Sequence, residues 1–215
     1  MKIGRAGKLF VSTGMRAWLL RHWEAPRVFA DVTLPAGAWC VDIGCGRGFG
    51  GLVIARRFDP ARVVCLDVDA DIVRSARRMM ADPPSWAAGV DTTVIQVLRA
   101  DATALPFPSD TFHAAFLFAV LHHVPDWRRA VAETFRVLRP GGVFSFEDTL
   151  LGSSVLCANR WLKHALFNLE ELVSVLQISG FEVRRATAAL GGNLVYALAR
   201  KPDRTPTPTP SPWPP

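Results

Sequence analysis

The sequence predicts an α/β fold: a doubly wound sheet of parallel strands with helices packed on both faces. Three observations carry this. From about residue 38 short β-type runs alternate with helical stretches. The runs are almost continuously apolar, as strands are when helices cover both sides. A glycine-rich stretch from Gly44 to Gly51 follows the first run directly, at the kind of strand-to-helix turn where such sheets bind ligands.

The strands are expected at Trp39–Ile43, Val63–Asp67, Thr93–Leu98, Ala114–Ala119 and Val143–Glu147. Helices fall between them at about Gly50–Arg57, Ala70–Met80 and Asp126–Leu138. Arg139-Pro140-Gly141-Gly142 stops the last of these, because proline cannot continue a helix and the glycines turn the chain. Asn168 followed by Glu171 is a capping pair for a helix running to about Ser179, closed by Gly180. Two β-type runs, Phe181–Ala186 and Leu194–Arg200, flank Gly191-Gly192-Asn193 and read as a hairpin. The sheet is therefore five parallel strands plus a C-terminal hairpin.

The ends divide the chain into an arm (1–37), a main domain (38–201) and a Pro-rich tail (202–215) with no means of packing. In the arm Met15, Trp18, Leu19, His22 and Trp23 fall on one helical face. The first reading is a helix packed by that face across the sheet edge and serving as a lid over the site. The other is a basic amphipathic surface that contacts membrane.

Composition narrows the function classes. The net charge of +6 suggests nucleic acid at first, but residues 1–30 hold six basic groups against one acid. The remaining 19 basic and 18 acidic residues leave the body nearly neutral, which counts against a phosphate-tracking surface. Cys40, Cys45, Cys65 and Cys157 show no metal-ligand spacing, so no metal is expected. No run reaches the roughly 20 apolar residues of a membrane span, and the N-terminus lacks the apolar core of a signal peptide. The expectation is a cytoplasmic protein.

Glycines let a backbone approach a ligand closely, and the helix beyond them offers free N–H groups. Alone, Gly46-x-Gly48-x-x-Gly51 fits a dinucleotide as well as S-adenosylmethionine (SAM), with Asp67 as a ribose acceptor in either case. The wider series resolves this. Asp42-Ile43-Gly44-Cys45-Gly46-Arg47-Gly48, Asp67, Asp101-Ala102, Leu105-Pro106-Phe107-Pro108, Leu121-His122-His123-Val124 and Arg136-Val137-Leu138-Arg139-Pro140-Gly141-Gly142 follow in order. The set, over about residues 38–200, resembles the class I SAM-dependent methyltransferases, in particular the small-molecule group that includes ubiquinone- and menaquinone-biosynthesis enzymes. The resemblance implies a Rossmann-like sheet of seven strands whose last is antiparallel and slipped between strands five and six.

It also implies a cofactor site. Asp42, Gly44, Cys45, Gly46 and Gly48 would hold the methionine and ribose part of SAM, with the acid at its amino end. Asp67 would bind the ribose hydroxyls, Val68 beside it and Phe118 near the end of strand four would line the pocket, and Asp101-Ala102 would meet the adenine. Phe112-His113 departs from the family's frequent Phe-Asp and reads as a change at a strand edge. Asp82-Pro83-Pro84-Ser85 precedes strand three and reads as a helix stop, not an amino-methylation motif.

Methyl transfer from a sulfonium is an in-line displacement that needs positioning, with a base only when the acceptor arrives protonated. His122 and His123 are the candidates for that base, against a reading in which one of them fills or caps the loop. The pocket is expected to draw on the arm, the loop after strand four, the Gly191-Gly192-Asn193 turn and the segment holding Trp161, Lys163, His164 and Phe167. That lining is largely apolar and points to a small, hydrophobic or aromatic acceptor. An RNA or protein methyltransferase, and a non-catalytic SAM-binding partner protein, are the competing readings.

Overall fold

The computed structural model describes residues 14–150 and 167–203. Seven strands form one sheet: β1 (Trp39–Ile43), β2 (Arg62–Asp67), β3 (Ile95–Arg99), β4 (Phe112–Phe118), β5 (Leu138–Thr149), β6 (Glu182–Ala189) and β7 (Leu194–Arg200). Their spatial order is β3-β2-β1-β4-β5-β7-β6. The first five run parallel, and β7 lies antiparallel between β5 and β6. This is the α/β Rossmann-like sheet with a slipped last strand.

Strand alternation sorts side chains into two apolar layers. Cys40, Val63, Cys65, Ala114, Phe116 and Leu198 face one side, under helices α3 (Phe49–Phe58) and α4 (Ala70–Ala81). Val41, Ile43, Val64, Ala115, Leu117, Phe144 and Phe146 face the other, under α5 (Trp127–Val137) and α6 (Leu169–Ile178). Asp69, Asp126 and Asn168 cap α4, α5 and α6, each accepting from backbone N–H groups of the first turn.

Some boundaries move for local reasons. Thr92–Val94 is a 3-10 turn, with the Asp91 carboxylate accepting from Thr93 N–H, so β3 begins at Ile95. Ala119 takes φ +58° and ends β4 one residue early. Leu138 already pairs with Phe112, so β5 starts before the Pro-Gly-Gly turn, and a register shift takes up the extra residues. His113 stands at that irregularity, where its Nδ1 accepts the Trp39 N–H at 3.0 Å, an edge contact on the side away from the Gly loop.

The arm comprises α1 (Gly14–Leu19), a π-helical turn (Leu20–Glu24) and α2 (Ala25–Val28). Ala25 N–H reaches back to Leu20 O, and Pro26, which lacks a donor, follows at once. The arm packs on the α3 side, through a different face from the one expected. Ala17, Leu20, Glu24, Ala25 and Val28 are buried, while Met15, Trp18 and Trp23 point outward. Helical periodicity permits both ridges. The inner ridge begins and continues with alanine, which lets the backbone approach the sheet, and polar anchors fix it there. The Ser145 hydroxyl donates to Val28 O, and Arg185 of β6 reaches Asp31 Oδ2 at 2.7 Å and Arg27 O at 2.9 Å.

Candidate active site

The parallel strands converge on a carboxyl-terminal edge where nearly all the singled-out residues lie. The Gly loop leaves β1 there. Gly44 takes φ +71°, and a Cβ at this position would stand 2.5 Å from the Val120 side chain, so the β1 and β4 loops touch through a glycine. Cys45 N–H donates to Leu66 O at 2.8 Å and Gly48 N–H to Cys45 O at 2.9 Å, which sets the loop over the end of β2. Cys45 is buried, as are Cys40 and Cys65, and all three are free thiols; Cys157 lies outside the described residues. Among the described residues no His, Cys, Asp and Glu cluster fits a metal.

Asp67 ends β2 beside this loop. Its Oδ2 accepts Gly46 N–H at 3.2 Å and its Oδ1 accepts Asp69 N–H at 2.9 Å. Each oxygen keeps a lone pair for a further donor, the requirement for a vicinal diol. Burial pushes the Asp67 carboxyl up, against the pull of these N–H groups. Val68 presents exposed apolar surface next to it. Beyond β3, Asp101 is exposed and its Oδ1 accepts both the N–H and the hydroxyl of Thr103, which hold its carboxyl below the usual range. Ala102 is half-buried beside it, and Phe118 is buried at the end of β4.

Asp42 sits differently from the other acids. It is wholly buried, on the arm side of β1 beneath the first turn of α3, and a Cβ on Gly50 would overlap its Oδ2. Its Oδ1 has no hydrogen-bond partner. Burial, with the Asp67 charge added, pushes the carboxyl up to about 7, against Gly51 N–H and the charge of Arg16. Its structural position is therefore under the loop, supporting it from below.

At the end of β4, Leu121–His123 forms a 3-10 turn. His122 is buried with Nδ1 2.6 Å from Asp148 Oδ1 at the end of β5. Asp148 also accepts Val120 N–H at 3.1 Å, Leu121 N–H at 2.6 Å and Thr149 N–H at 2.7 Å. The acceptor places the His122 proton on Nδ1 and leaves the Nε2 lone pair available. The His123 ring lies 3.9 Å from that of His122, centroid to centroid.

Glu147 precedes Asp148 and so faces the opposite side, toward the arm. It is buried opposite Tyr196 of β7, and its carboxyl is pushed well up, by burial first and then by the charges of Glu24 and Asp148. Glu24 of the arm pairs with Arg16 at 2.5 Å, and burial raises its carboxyl too. Sequence inspection passes over Glu147, Asp148, Arg16 and Glu24. The available signal was an acidic pair ending an apolar strand at the ligand edge.

One expectation for the pocket wall changes. Phe167 is fully buried against Trp127 on the α5 face and belongs to the core. Trp161, Lys163 and His164 lie outside the described residues, as does the tail from 204 onward. The Gly191-Gly192-Asn193 turn lies at the ligand edge, where Asn193 O accepts Leu150 N–H at 2.9 Å. A cleft of 410 Å³ lined by Trp39, Arg62, Gln96, Phe107 and Arg139 opens at the opposite, amino-terminal edge of the strands.

Comparisons with known proteins give the family and the fold. Residues 41–146 match the family model described as "Methyltransferase domain". An uncharacterized methyltransferase of Mycobacterium bovis is 32% identical over 151 residues, covering 68% of this chain and 69% of the relative. The fatty-acid O-methyltransferase of Mycolicibacterium smegmatis is 32% identical over 137 residues, covering 64% of this chain and 45% of the relative. The chain spans between 27% and 69% of the length of these and the other first curated relatives. Among solved structures, a chain of the complex between the Haloferax volcanii Trm112 methyltransferase activator and a methyltransferase superposes with a TM-score of 0.75. It is 18% identical, covers 94% of this chain and 100% of that one, and speaks for the fold alone.

Proposed function

Because the chain belongs to the class I SAM-dependent methyltransferases, we propose that it transfers a methyl group from SAM to a small, hydrophobic acceptor. The bound donor supplies an electrophilic methyl on a sulfonium, and the chain's own residues bind, orient and exclude water. The observation that carries the donor half is Asp67. Its two carboxylate oxygens, fixed by Gly46 and Asp69 N–H groups, retain acceptor capacity for a ribose diol. Asp101 is suited to the adenine amino group and exposed Val68 to the nucleoside face, with Gly44, Cys45, Gly46 and Gly48 shaping the loop between them. Phe118 closes the inner wall. Asp42 supports this loop from beneath.

For the acceptor, His122 is the candidate base. A protonated acceptor such as a phenol, alcohol or carboxylic acid would give its proton to Nε2 while Asp148 holds Nδ1. His123, its ring tilted against that of His122, serves as its neighbour rather than as a second base. The fatty-acid O-methyltransferase of M. smegmatis supports a hydrophobic acceptor with an ionisable oxygen. The near-neutral body supports a small molecule over RNA.

The test is calorimetry with SAM, followed by transfer of labelled methyl to a panel of fatty acids, phenols and charged metabolites. Replacing Asp67 by Ala should weaken SAM binding by at least ~1.5 kcal/mol. Unchanged affinity, or transfer confined to charged non-aromatic metabolites, overturns the corresponding half of the proposal.

A further inference from the structure

The arm uses one ridge to pack and leaves a second apolar ridge in solvent. Met15 is 64% and Trp18 58% exposed, one helical turn apart, and Trp23 farther along is 38% exposed, with its indole beside Tyr196 of β7. These are three of the seven large apolar side chains exposed among the described residues. An isolated exposed tryptophan needs no explanation, but this set is concentrated on fifteen residues.

Charge sharpens the pattern. The arm's single acid, Glu24, is turned inward and neutralised by Arg16 at 2.5 Å, with both side chains almost buried. The outward charge of residues 14–28 is therefore positive. Arg21 lies over Trp86 at 4.5 Å, and Arg27 over Trp23 at 3.9 Å, which holds a guanidinium beside an exposed indole. In sequence the preceding residues add Lys2, Arg5 and Lys8 with no acid, whereas the chain beyond residue 30 is close to neutral. Interfacial tryptophan, a flexible methionine and arginines on a ridge that carries no acid suit the headgroup region of an anionic bilayer.

We propose that the outer face of the arm, Met15, Trp18 and Trp23 with Arg21 and Arg27, docks reversibly on an anionic lipid surface. The inner face of the same arm covers the acids at the carboxyl-terminal edge of the sheet, with the charge of Arg16 acting on Asp42 and Glu147. Docking thus brings the rim of the site to the lipid. On the methyl-transfer reading proposed above, that is where a hydrophobic acceptor is dissolved.

The test is co-sedimentation of the full chain with phosphatidylcholine vesicles and with vesicles containing phosphatidylglycerol, without acceptor. The expected result is pelleting with the anionic vesicles, weakened by salt. The Met15→Ser/Trp18→Ser double variant should bind these vesicles roughly ten-fold or more weakly. Its SAM affinity, read by calorimetry, should stay within about two-fold, since both side chains face away from the loop. No pelleting, or equal pelleting of the variant, overturns the proposal. So does a concentration-dependent dimer, seen by sedimentation velocity, that the variant abolishes, because the face would then belong to a second copy. Vesicle binding is read without catalysis, so failure of the methyl-transfer reading would leave this result standing, and the reverse.

Discussion

His122 Nδ1 lies 2.6 Å from Oδ1 of Asp148, a carboxylate that also accepts the N–H groups of Val120 and Leu121. One side chain at the end of β5 thus holds both the backbone and the imidazole of the loop after β4. The arrangement does two separable things. It braces the loop, and it fixes the tautomer whose Nε2 can accept a proton.

The two roles predict different losses. Replacing His122 by Ala removes one charge-assisted hydrogen bond and should cost roughly 1.5–3 kcal/mol in urea denaturation. If His122 is the base, kcat for a protonated acceptor should fall by about 100-fold or more, with SAM affinity nearly unchanged. A variant that loses stability but keeps its kcat would reduce His122 to a brace.

Gly44 offers a purely geometric prediction. At φ +71° an alanine pays about 1–2 kcal/mol for the left-handed backbone, and its Cβ would meet the Val120 side chain at 2.5 Å. Gly44→Ala should therefore lose at least ~2 kcal/mol of stability and weaken SAM binding together, because Val120 carries the Asp148-bound loop. A stable variant with normal SAM affinity would show that the β1 and β4 loops move independently.

Arg16 pairs with Glu24 inside the arm, and its charge also acts on the buried acids Asp42 and Glu147 of the sheet. Arg16→Ala leaves Glu24 and Glu147 buried close to one another without their shared cation. Loss of that charge should push both carboxyls further up, and the arm should loosen. Hydrogen exchange should rise across residues 14–28 while β1 and β4 stay protected. Uniform exchange in variant and wild type would show that the apolar ridge alone seats the arm.

How far these features were legible in the sequence follows from their range. The alternation of strands and helices, the hairpin and the caps are local, so apolar runs and Asp69, Asp126 or Asn168 announced them. The Gly loop and Asp67 were legible because the strand-loop spacing is itself the motif. Asp148 was not, since its partners depend on the register of β5 against β4, with extra residues absorbed between Phe112 and Ala114. The arm illustrates a different limit. Two ridges with helical spacing run along the same residues, and the choice between them was made by alanines and by anchors from Ser145 and Arg185, more than a hundred residues away.

Asp42 gives the clearest pH prediction. Burial and the Asp67 charge raise its carboxyl from an ordinary 3.8 to about 7 in the folded chain. In the unfolded chain the group ionises near the ordinary value, so between the two the folded state holds a proton that the unfolded state has released. Stability from this group is complete below about pH 4 and is lost as pH rises toward 7. The full gap corresponds to roughly 4 kcal/mol, an upper figure for a group this deeply buried. Asp42→Asn removes the titration while keeping an oxygen for Gly51 N–H, although its amide nitrogen inherits the unpartnered position of Oδ1. The variant should therefore match the wild type near pH 4 and exceed it by about 1–3 kcal/mol at pH 8. Urea denaturation of both proteins at the two pH values reads this difference directly. A variant that is less stable at pH 8 would mean that Asp42 is ionised in the folded chain and held by the N-terminus of α3 as a charge.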